Sequence, residues 1–285
     1  MQVNKHRVEP PSTSVECYWK KPTLSRVGTT LKYITVQQMS KKEVPDRPST
    51  SALYTDFILE AKKRKLQHCE LIKYQDIMKT TFNRAAISAI EEATRMQYKS
   101  SLWYEMRYGR ITASKAHEVS VCHTPDGSLV ATIMGAKIPD TIAMKRGRSL
   151  ELSVRKTVST TLNKKIRTCG LYVCQDNPML AASPDGLLKD TIVEIKCPTK
   201  AKAKNNHLKN GIISEKCKAQ VQLQMHATGM KKCYFCVADS NFEETKNVDI
   251  ILVKYEDDYV NNLIKNLYIF WKKNIYPILY RSTSL

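Results

Sequence analysis

The stretch that most constrains the fold of this chain is AASPDGLLKDTIVEIKCP, residues 181–198. It spaces Asp185, Glu194 and Lys196 in the pattern PD-x8-E-x-K. The apolar run TIVEIK around Glu194 is typical of a short, largely buried strand. Because side chains alternate between the two faces of a strand, Glu194 and Lys196 should point one way and their apolar neighbours into the core.

A turn is predicted just before this strand. Asp185 follows Pro184 and precedes Gly186, which is typical of a turn leading into a second strand. The resulting hairpin would bring the Asp185 carboxylate beside Glu194. Two carboxylates and a lysine at the end of a buried sheet are costly unless something neutralises them, and a hard divalent cation with oxygen ligands would do so.

The charge of the chain indicates a polyanionic partner. Its 285 residues carry a formal net charge of +19, which favours nucleic acid first and an anionic membrane surface second; a merely soluble basic protein is the alternative. No segment has the apolar length needed to span a bilayer, and the N-terminal residues lack an apolar signal region. We therefore expect a nucleic-acid partner and no membrane.

The cysteines indicate a reducing compartment. Nine of them stand at irregular spacings, as expected of reduced thiols in an intracellular protein. Cys233 and Cys236 form a CxxC pair, but the surrounding KKCYFCVAD is typical of a strand, on which positions three apart face opposite sides. With no second such pair following, a zinc site is disfavoured.

Residues 1–80 form an N-terminal extension to which the sequence assigns no function. Pro- and Ser-rich segments near residues 9–14 and 45–51 are typical of linkers. The basic run Lys62–Lys65 is consistent with a nuclear address, a phosphate-contacting patch or a solvated helix face. A nuclear location is the expectation if the protein is eukaryotic.

From residue 84 the chain alternates helical and strand patterns. RAAISAIEEATRMQYKSS predicts an amphipathic helix, and in SLWYEMRYGRITASKAHEV Gly109 ends one helix while Thr112 caps the next. A helix N-terminus flanked by Arg107, Arg110, Ser114 and Lys115 is suited to hold a phosphate, although a structural helix with surface arginines explains the pattern equally well.

The segment MKRGRSLELSVRKTVSTTL predicts a long helix on which Glu151 shares a face with Arg148 and Arg155. These residues have two interpretations. Either they form a surface ion-pair series, or the helix places Glu151 as a third carboxylate beside Asp185 and Glu194. Gly147 would suit a close approach of the helix backbone to a ligand or strand.

A further helix, two strands and a final helix are predicted from IISEKCKAQVQLQMHATGM, KKCYFCVAD, NVDIILVKY and DDYVNNLIKNLYIFWKKNIYPIL. Gln220, Gln224 and His226 are among the polar positions of the first of these helices. The order of elements indicates an α/β domain with a sheet flanked by helices.

Four blocks, MRYGRITASKAHEV, RGRSLE, ASPDGLL…VEIKCP and AQVQLQM, stand in this order over about residues 100–230. In them the chain resembles the PD-(D/E)xK nucleases, specifically the phage lambda-type exonucleases and YqaJ-like viral recombinases. The resemblance implies a restriction-endonuclease-like core, a central mixed β-sheet flanked by helices, over residues 81–285 with the N-terminal extension outside it.

The resemblance also implies roles for individual residues. Asp185, Glu194 and the backbone carbonyl of Ile195 would bind catalytic Mg²⁺, for which Mn²⁺ commonly substitutes, and Glu151 would complete the acidic set. Lys196 would position or deprotonate the attacking water, and Gln220 would orient the site and the DNA. The residues implied in a pocket for a 5′-phosphate are Arg107, Ser114 and Ser183.

The leading functional hypothesis is therefore a Mg²⁺-dependent deoxyribonuclease that degrades linear double-stranded DNA from an end, 5′ to 3′, in recombination or repair. Lambda-type relatives form ring-shaped homotrimers, so a homo-oligomer is a further expectation. The alternatives are a structure-specific or nicking endonuclease on the same core, or a DNA-binding module without catalysis. The intact acidic and lysine positions weigh against the last of these.

Overall fold

The computed structural model describes residues 82–124, 127–136 and 138–282. The predicted extension, with its linkers and the Lys62–Lys65 run, lies outside the described residues. The α-helices in chain order are α1 Arg84–Ala93, α2 Ser101–Glu105, α3 Ala116–Ser120, α4 Ser128–Ile133, α5 Ile142–Thr161, α6 Ala201–Lys204, α7 Glu215–Thr228, α8 Phe242–Thr245, α9 Asp257–Phe270 and α10 Tyr276–Ser282. Short 3₁₀ helices lie at Gln97–Lys99 and Ala113–Lys115, and a π-helical turn, Trp271–Ile275, joins α9 to α10.

The strands form three sheets. In chain order they are β1 Ile111–Thr112, β2 Tyr172–Val173, β3 Leu180–Ala182, β4 Gly186–Leu187, β5 Ile192–Lys196, β6 Leu208–Lys209, β7 Ile212–Ile213, β8 Lys232–Ala238 and β9 Val248–Lys254. A four-stranded sheet has the order β4-β5-β8-β9, a three-stranded sheet the order β1-β3-β2, and β6 pairs with β7. The mixed α/β architecture predicted from the sequence is confirmed.

The predicted hairpin is present at one edge of the four-stranded sheet. Strand β4 pairs antiparallel with β5, with Gly186 opposite Val193, and the Asp185 N–H donates to the Val193 carbonyl at 3.0 Å. Strand β5 then runs parallel to β8, which pairs antiparallel with β9. A parallel pair needs a crossover connection, and here the crossover contains α7.

Helices cover both faces of this sheet. On one face, Val221 of α7 packs against Phe235 of β8 in a buried cluster. On the other, Val154 of α5 packs against Val193 in a second cluster. Because both faces are covered, Glu194 is as buried as its apolar neighbours, at 3 % exposure, and it lies on the α7 side.

The two cysteines of the CxxC pair follow the strand geometry that the sequence predicts. Cys233 belongs to the cluster on the α7 side of the sheet, and Cys236 to the cluster on the α5 side. In the described ranges, seven cysteines are present as free thiols. No helix in the same ranges is both long and apolar enough to cross a membrane.

Helix α1 is tied to the three-stranded sheet through a close backbone contact at Gly170. The Gly170 N–H donates to Glu91 Oε1 at 3.0 Å, and the Leu171 N–H donates to Thr94 Oγ1 at 2.8 Å. A Cβ on Gly170 would lie 1.9 Å from the carbonyl oxygen of Glu91. Only glycine permits this approach.

Two local predictions are corrected. The amphipathic helix ends at Ala93 rather than running to Ser101, because Thr94 turns its hydroxyl to the Ile90 carbonyl at 2.6 Å. Thr112 lies in β1 before a 3₁₀ turn and makes no side-chain cap bond. Gly109 does follow helix α2, in the left-handed region at φ 67°.

Candidate active site

Glu194 is the centre of a hydrogen-bond network. Its Oε1 accepts from Lys196 Nζ at 2.7 Å and from Gln220 Nε2 at 2.6 Å, and its Oε2 accepts from Gln224 Nε2 at 2.7 Å. Lys196 also donates to Gln220 Oε1 at 2.9 Å. Strand β5 and helix α7 thus bring together three residues that the sequence predicted for the site, Glu194, Lys196 and Gln220.

Lys196 acts in this structure as a cationic donor. Burial by itself would lower its pKa, but the Glu194 and Asp185 carboxylates together raise the pKa of Lys196 above its usual value. A protonated amine can orient a water or stabilise a negatively charged oxygen.

Asp185 lies at the start of the hairpin, beside β5. Its Oδ2 accepts from the Ile195 N–H at 2.7 Å. Its backbone carbonyl accepts from Arg155 Nη1 at 2.8 Å. Burial raises the pKa of Asp185 well above its usual range, and the nearby charges of Glu194 and Glu151 raise it further.

Glu151 comes to this group from helix α5. Burial raises its pKa, and the Glu194 charge adds to that rise. Its ion pair with Arg155 spans 3.8 Å, whereas Arg148 turns to Asp140 at 2.6 Å. Of the predicted ion-pair series only the Glu151–Arg155 pair is therefore present, and Glu151 is close enough to Glu194 to be influenced by its charge.

Gly147 does not bring α5 close to a strand. A Cβ there would meet no described atom within 4 Å. The glycine of the RGRSLE block thus has no close neighbour among the described residues, contrary to the expectation of a tight backbone approach to a strand.

The acidic residues offer the donor chemistry of a hard cation. Asp185, Glu151 and Glu194 supply carboxylate oxygens, and the mutual repulsion that raises the pKa of Asp185 and Glu151 is what a divalent ion relieves. In the described residues no three His, Cys, Asp or Glu side chains converge as a ready-made metal site. Both Glu194 oxygens are instead directed to hydrogen-bond donors, so the residues fit an ion by type and charge while at least one of these bonds would have to exchange.

A second group of predicted residues lies where β3 leads into Asp185. Trp103 Nε1 donates to Ser183 Oγ at 2.9 Å, and the Arg107 guanidinium stacks on the Trp103 ring, 4.0 Å from its centroid. Burial lowers the pKa of Arg107 to about 10, and no described carboxylate pairs with it. A partly buried cation without a described counter-ion is suited to an anionic ligand.

Ser114 approaches the same region through the pairing of β1 with β3. The strands are parallel with Thr112 opposite Ala181, so the chain reaches Ser114 and Ser183 two residues later at the same edge. Ser114 Oγ lies 3.2 Å from Thr112 Oγ1. Ser114 and Ser183 thus follow neighbouring strand ends, and Arg107 is linked to Ser183 through Trp103.

Sequence reasoning missed three contacts at this site. The sequence analysis treated Gln224 only as a polar helix position and Arg155 only as a neighbour of Glu151 on a helix face, and it assigned Trp103 no role at the site. The spacing of Gln220 and Gln224, four residues apart on one helix face, is the signal that could have identified the first. No comparable signal exists for the Arg155 bond to the Asp185 carbonyl, which depends on how α5 docks.

The family described as the YqaJ-like viral recombinase domain matches residues 102–231. This range contains all of the predicted site residues. No curated protein matches the chain.

Solved structures share the fold. LHK-Exo, an alkaline exonuclease from Laribacter hongkongensis, in complex with dAMP is 24% identical with a TM-score of 0.56, covering 62% of this chain and 94% of that one. The Shutoff and Exonuclease Protein from Kaposi's sarcoma-associated herpesvirus is 11% identical with a TM-score of 0.50, covering 90% and 91%. A SOX–DNA complex is 14% identical with a TM-score of 0.50, covering 89% and 90%.

Proposed function

We propose that this chain is a divalent-metal-dependent deoxyribonuclease that hydrolyses linear duplex DNA from an end, 5′ to 3′, because residues 102–231 match the YqaJ-like viral recombinase domain family. The observation that carries the proposal is the group of buried Glu194 with partly buried Asp185 and Lys196 on one hairpin, with Lys196 Nζ bonded to Glu194 at 2.7 Å. The fold that the chain shares with exonucleases supports it.

In this proposal Asp185, Glu194 and Glu151 hold Mg²⁺, with the Ile195 carbonyl as a further ligand and Mn²⁺ as a substitute. When bound, the ion would act as a Lewis acid at the scissile phosphate and make a water molecule more acidic. Lys196 orients that water through its protonated amine. Gln220 fixes Lys196 and Glu194 relative to each other, since it bonds to both.

The partner proposed for the basic surface is double-stranded DNA. A net charge of +19 attracts nucleic acid mainly through phosphates, which gives strong salt dependence and little sequence preference. A ring-shaped homotrimer stays a prediction from the resemblance, and light scattering of the full chain would measure it.

The 5′ end would be held by Arg107, Ser114 and Ser183. Arg107 supports this role because it is partly buried, stacked on Trp103 and without a described acidic partner. A terminal phosphate bonded there would place the first phosphodiester beside Asp185, since Ser183 and Asp185 are two residues apart.

Arg107→Met should reduce the preference for a 5′-phosphorylated end over a 5′-hydroxyl end by about 10- to 100-fold, because a hydrogen bond to a charged group contributes about 1.5–3 kcal/mol. The measurement is the initial rate of digestion of two otherwise identical duplexes. Arg148→Met, which removes an arginine already paired with Asp140, is the control and should keep the preference. An unchanged preference in Arg107→Met would refute the pocket.

A closed circular substrate distinguishes the proposed exonuclease from the alternative endonuclease. The proposed enzyme degrades a linear plasmid in Mg²⁺ and leaves the closed circular form intact. Cutting of the circle at a comparable rate would replace end-dependent digestion with an endonuclease on the same core.

A further inference from the structure

Gln224 is hydrogen-bonded to Oε2, one of the two carboxylate oxygens of Glu194. Its Nε2 lies 2.7 Å from Glu194 Oε2 and is the one described side-chain donor to that oxygen, whereas Oε1 is shared by Lys196 and Gln220. The two oxygens of Glu194 therefore have different environments.

Burial distinguishes these donors further. Gln224 is 1% exposed, while Lys196 and Gln220 are only partly buried. Water can replace a partly exposed donor but not one enclosed by the sheet and α7. Oε2 is thus held by a buried donor that water cannot replace. The donors to Oε1, by contrast, can be exchanged for water or another ligand.

The orientation of the Gln224 amide follows from the same contact. Exchanging its oxygen and nitrogen would place an acceptor against the Glu194 carboxylate, which the charge of that group disfavours. The consequence is that Gln224 Oε1 remains buried with no hydrogen-bond partner among the described residues. An apolar side chain of equal length at this position would leave no unpaired oxygen. The benefit of an amide here is therefore its hydrogen bond to Glu194.

We propose that Gln224 is a positioning residue that anchors Glu194 Oε2 and so orients Oε1 toward the divalent ion of the site. The inference rests on the proposed function and deepens it. When Oε1 exchanges Lys196 or Gln220 for an ion, Gln224 keeps the carboxylate in place. Loss of an outer partner of a metal-binding carboxylate typically weakens metal affinity by about 10- to 100-fold.

Helix α7 provides a matched control in Gln222. Gln222 is equally buried, at 0% exposure, but its amide bonds to the Lys254 carbonyl at 2.8 Å and to the Glu256 N–H at 3.0 Å. These contacts tie α7 to the end of β9 and do not reach Glu194. Gln222→Met and Gln224→Met are the same substitution two positions apart.

The test is a calorimetric titration of the full chain with Mg²⁺ in the absence of DNA. We expect the Kd for Mg²⁺ to rise at least about tenfold in Gln224→Met and to stay within about twofold of the wild-type value in Gln222→Met. The thermal midpoint of the metal-free protein should fall in both variants, since each leaves buried polar groups unpaired. If Gln224→Met does not fold, Gln224→Asn, which draws the amide back by one methylene, should show the same weakening.

A wild-type Mg²⁺ affinity in the Gln224 variants, or an equal loss in Gln222→Met, would overturn the positioning role and leave the nuclease proposal standing. Failure of the wild-type chain itself to bind Mg²⁺ or Mn²⁺ would overturn the proposed metal dependence, and this inference with it.

Discussion

Replacing Lys196 with methionine is expected to lower the rate of DNA cleavage roughly a thousandfold, at the upper end of the range of about 10²–10³ for loss of a positioned hydrogen-bond donor in an active site. Methionine keeps an unbranched apolar stem of similar shape but removes the cation that bonds to Glu194 and Gln220. Binding of duplex DNA should change little, because the remaining positive charge of the chain supplies most phosphate contacts. The measurements are the cleavage rate and the Kd for a labelled duplex.

Lys232→Met is the matched control for this prediction. Lys232 begins β8 at the opposite end of the same sheet from Lys196, whose partner in β8 is Val237, and it pairs with exposed Asp190. The control should cleave at nearly the wild-type rate. If the wild-type chain cleaves DNA and Lys196→Met cleaves it equally well while folded, this lysine has no part in the chemistry.

The largest effect on stability is expected for Gly170→Ala. The added Cβ would lie 1.9 Å from the Glu91 carbonyl oxygen and 2.4 Å from Thr94 Oγ1, so α1 and the segment before β2 must separate. Such overpacking costs about 1–3 kcal/mol and occasionally more, and separation would also weaken the bonds that Gly170 and Leu171 donate to α1. We expect the free energy of unfolding to fall by about 3 kcal/mol or more, measured by urea denaturation.

Gly147→Ala serves as the opposite case. Gly147 lies inside helix α5, and a Cβ there meets no described atom within 4 Å. Alanine in a helix interior is favoured over glycine by about 0.5–1 kcal/mol, so this variant should be slightly more stable than the wild-type chain. A Gly170→Ala protein of wild-type stability would refute the close packing of α1 against this segment.

The hairpin at the centre of the fold could be predicted because its signals are local. A Pro-Asp-Gly turn and an alternating run around Glu194 fix both strands, and the structure places β4 and β5 there. The strands β8 and β9 follow from the same kind of pattern. Their pairing with β5, however, depends on the crossover through α7, which the sequence indicates only by the order of elements.

Contacts that depend on docking could not be predicted. Helix α1 ends early because Thr94 donates to a carbonyl within the helix and accepts from Leu171 on another element. Gln97, with φ at 44°, donates its amide to the carbonyls of Cys169 and Pro184. These are long-range partners, and a periodic helical pattern carries no information about them.

The dependence on docking also explains why Gln220 was predicted for the site and Gln224 was not. The resemblance supplied Gln220, while the bond of Gln224 to Glu194 follows only once α7 is placed over the face of β5 that carries Glu194. The sequence thus predicts which residues are chemically suited to the site, and the packing of α7 and α5 decides which of them meet.

The most direct test of the account is the release of nucleotides from a 5′-phosphorylated linear duplex by the full chain as Mg²⁺ is added. We predict that cleavage rises with Mg²⁺ to saturation, stops when EDTA is added and resumes when excess Mg²⁺ is restored. A chain that binds the duplex but releases nothing in either Mg²⁺ or Mn²⁺ would contradict the account and leave a DNA-binding module without catalysis.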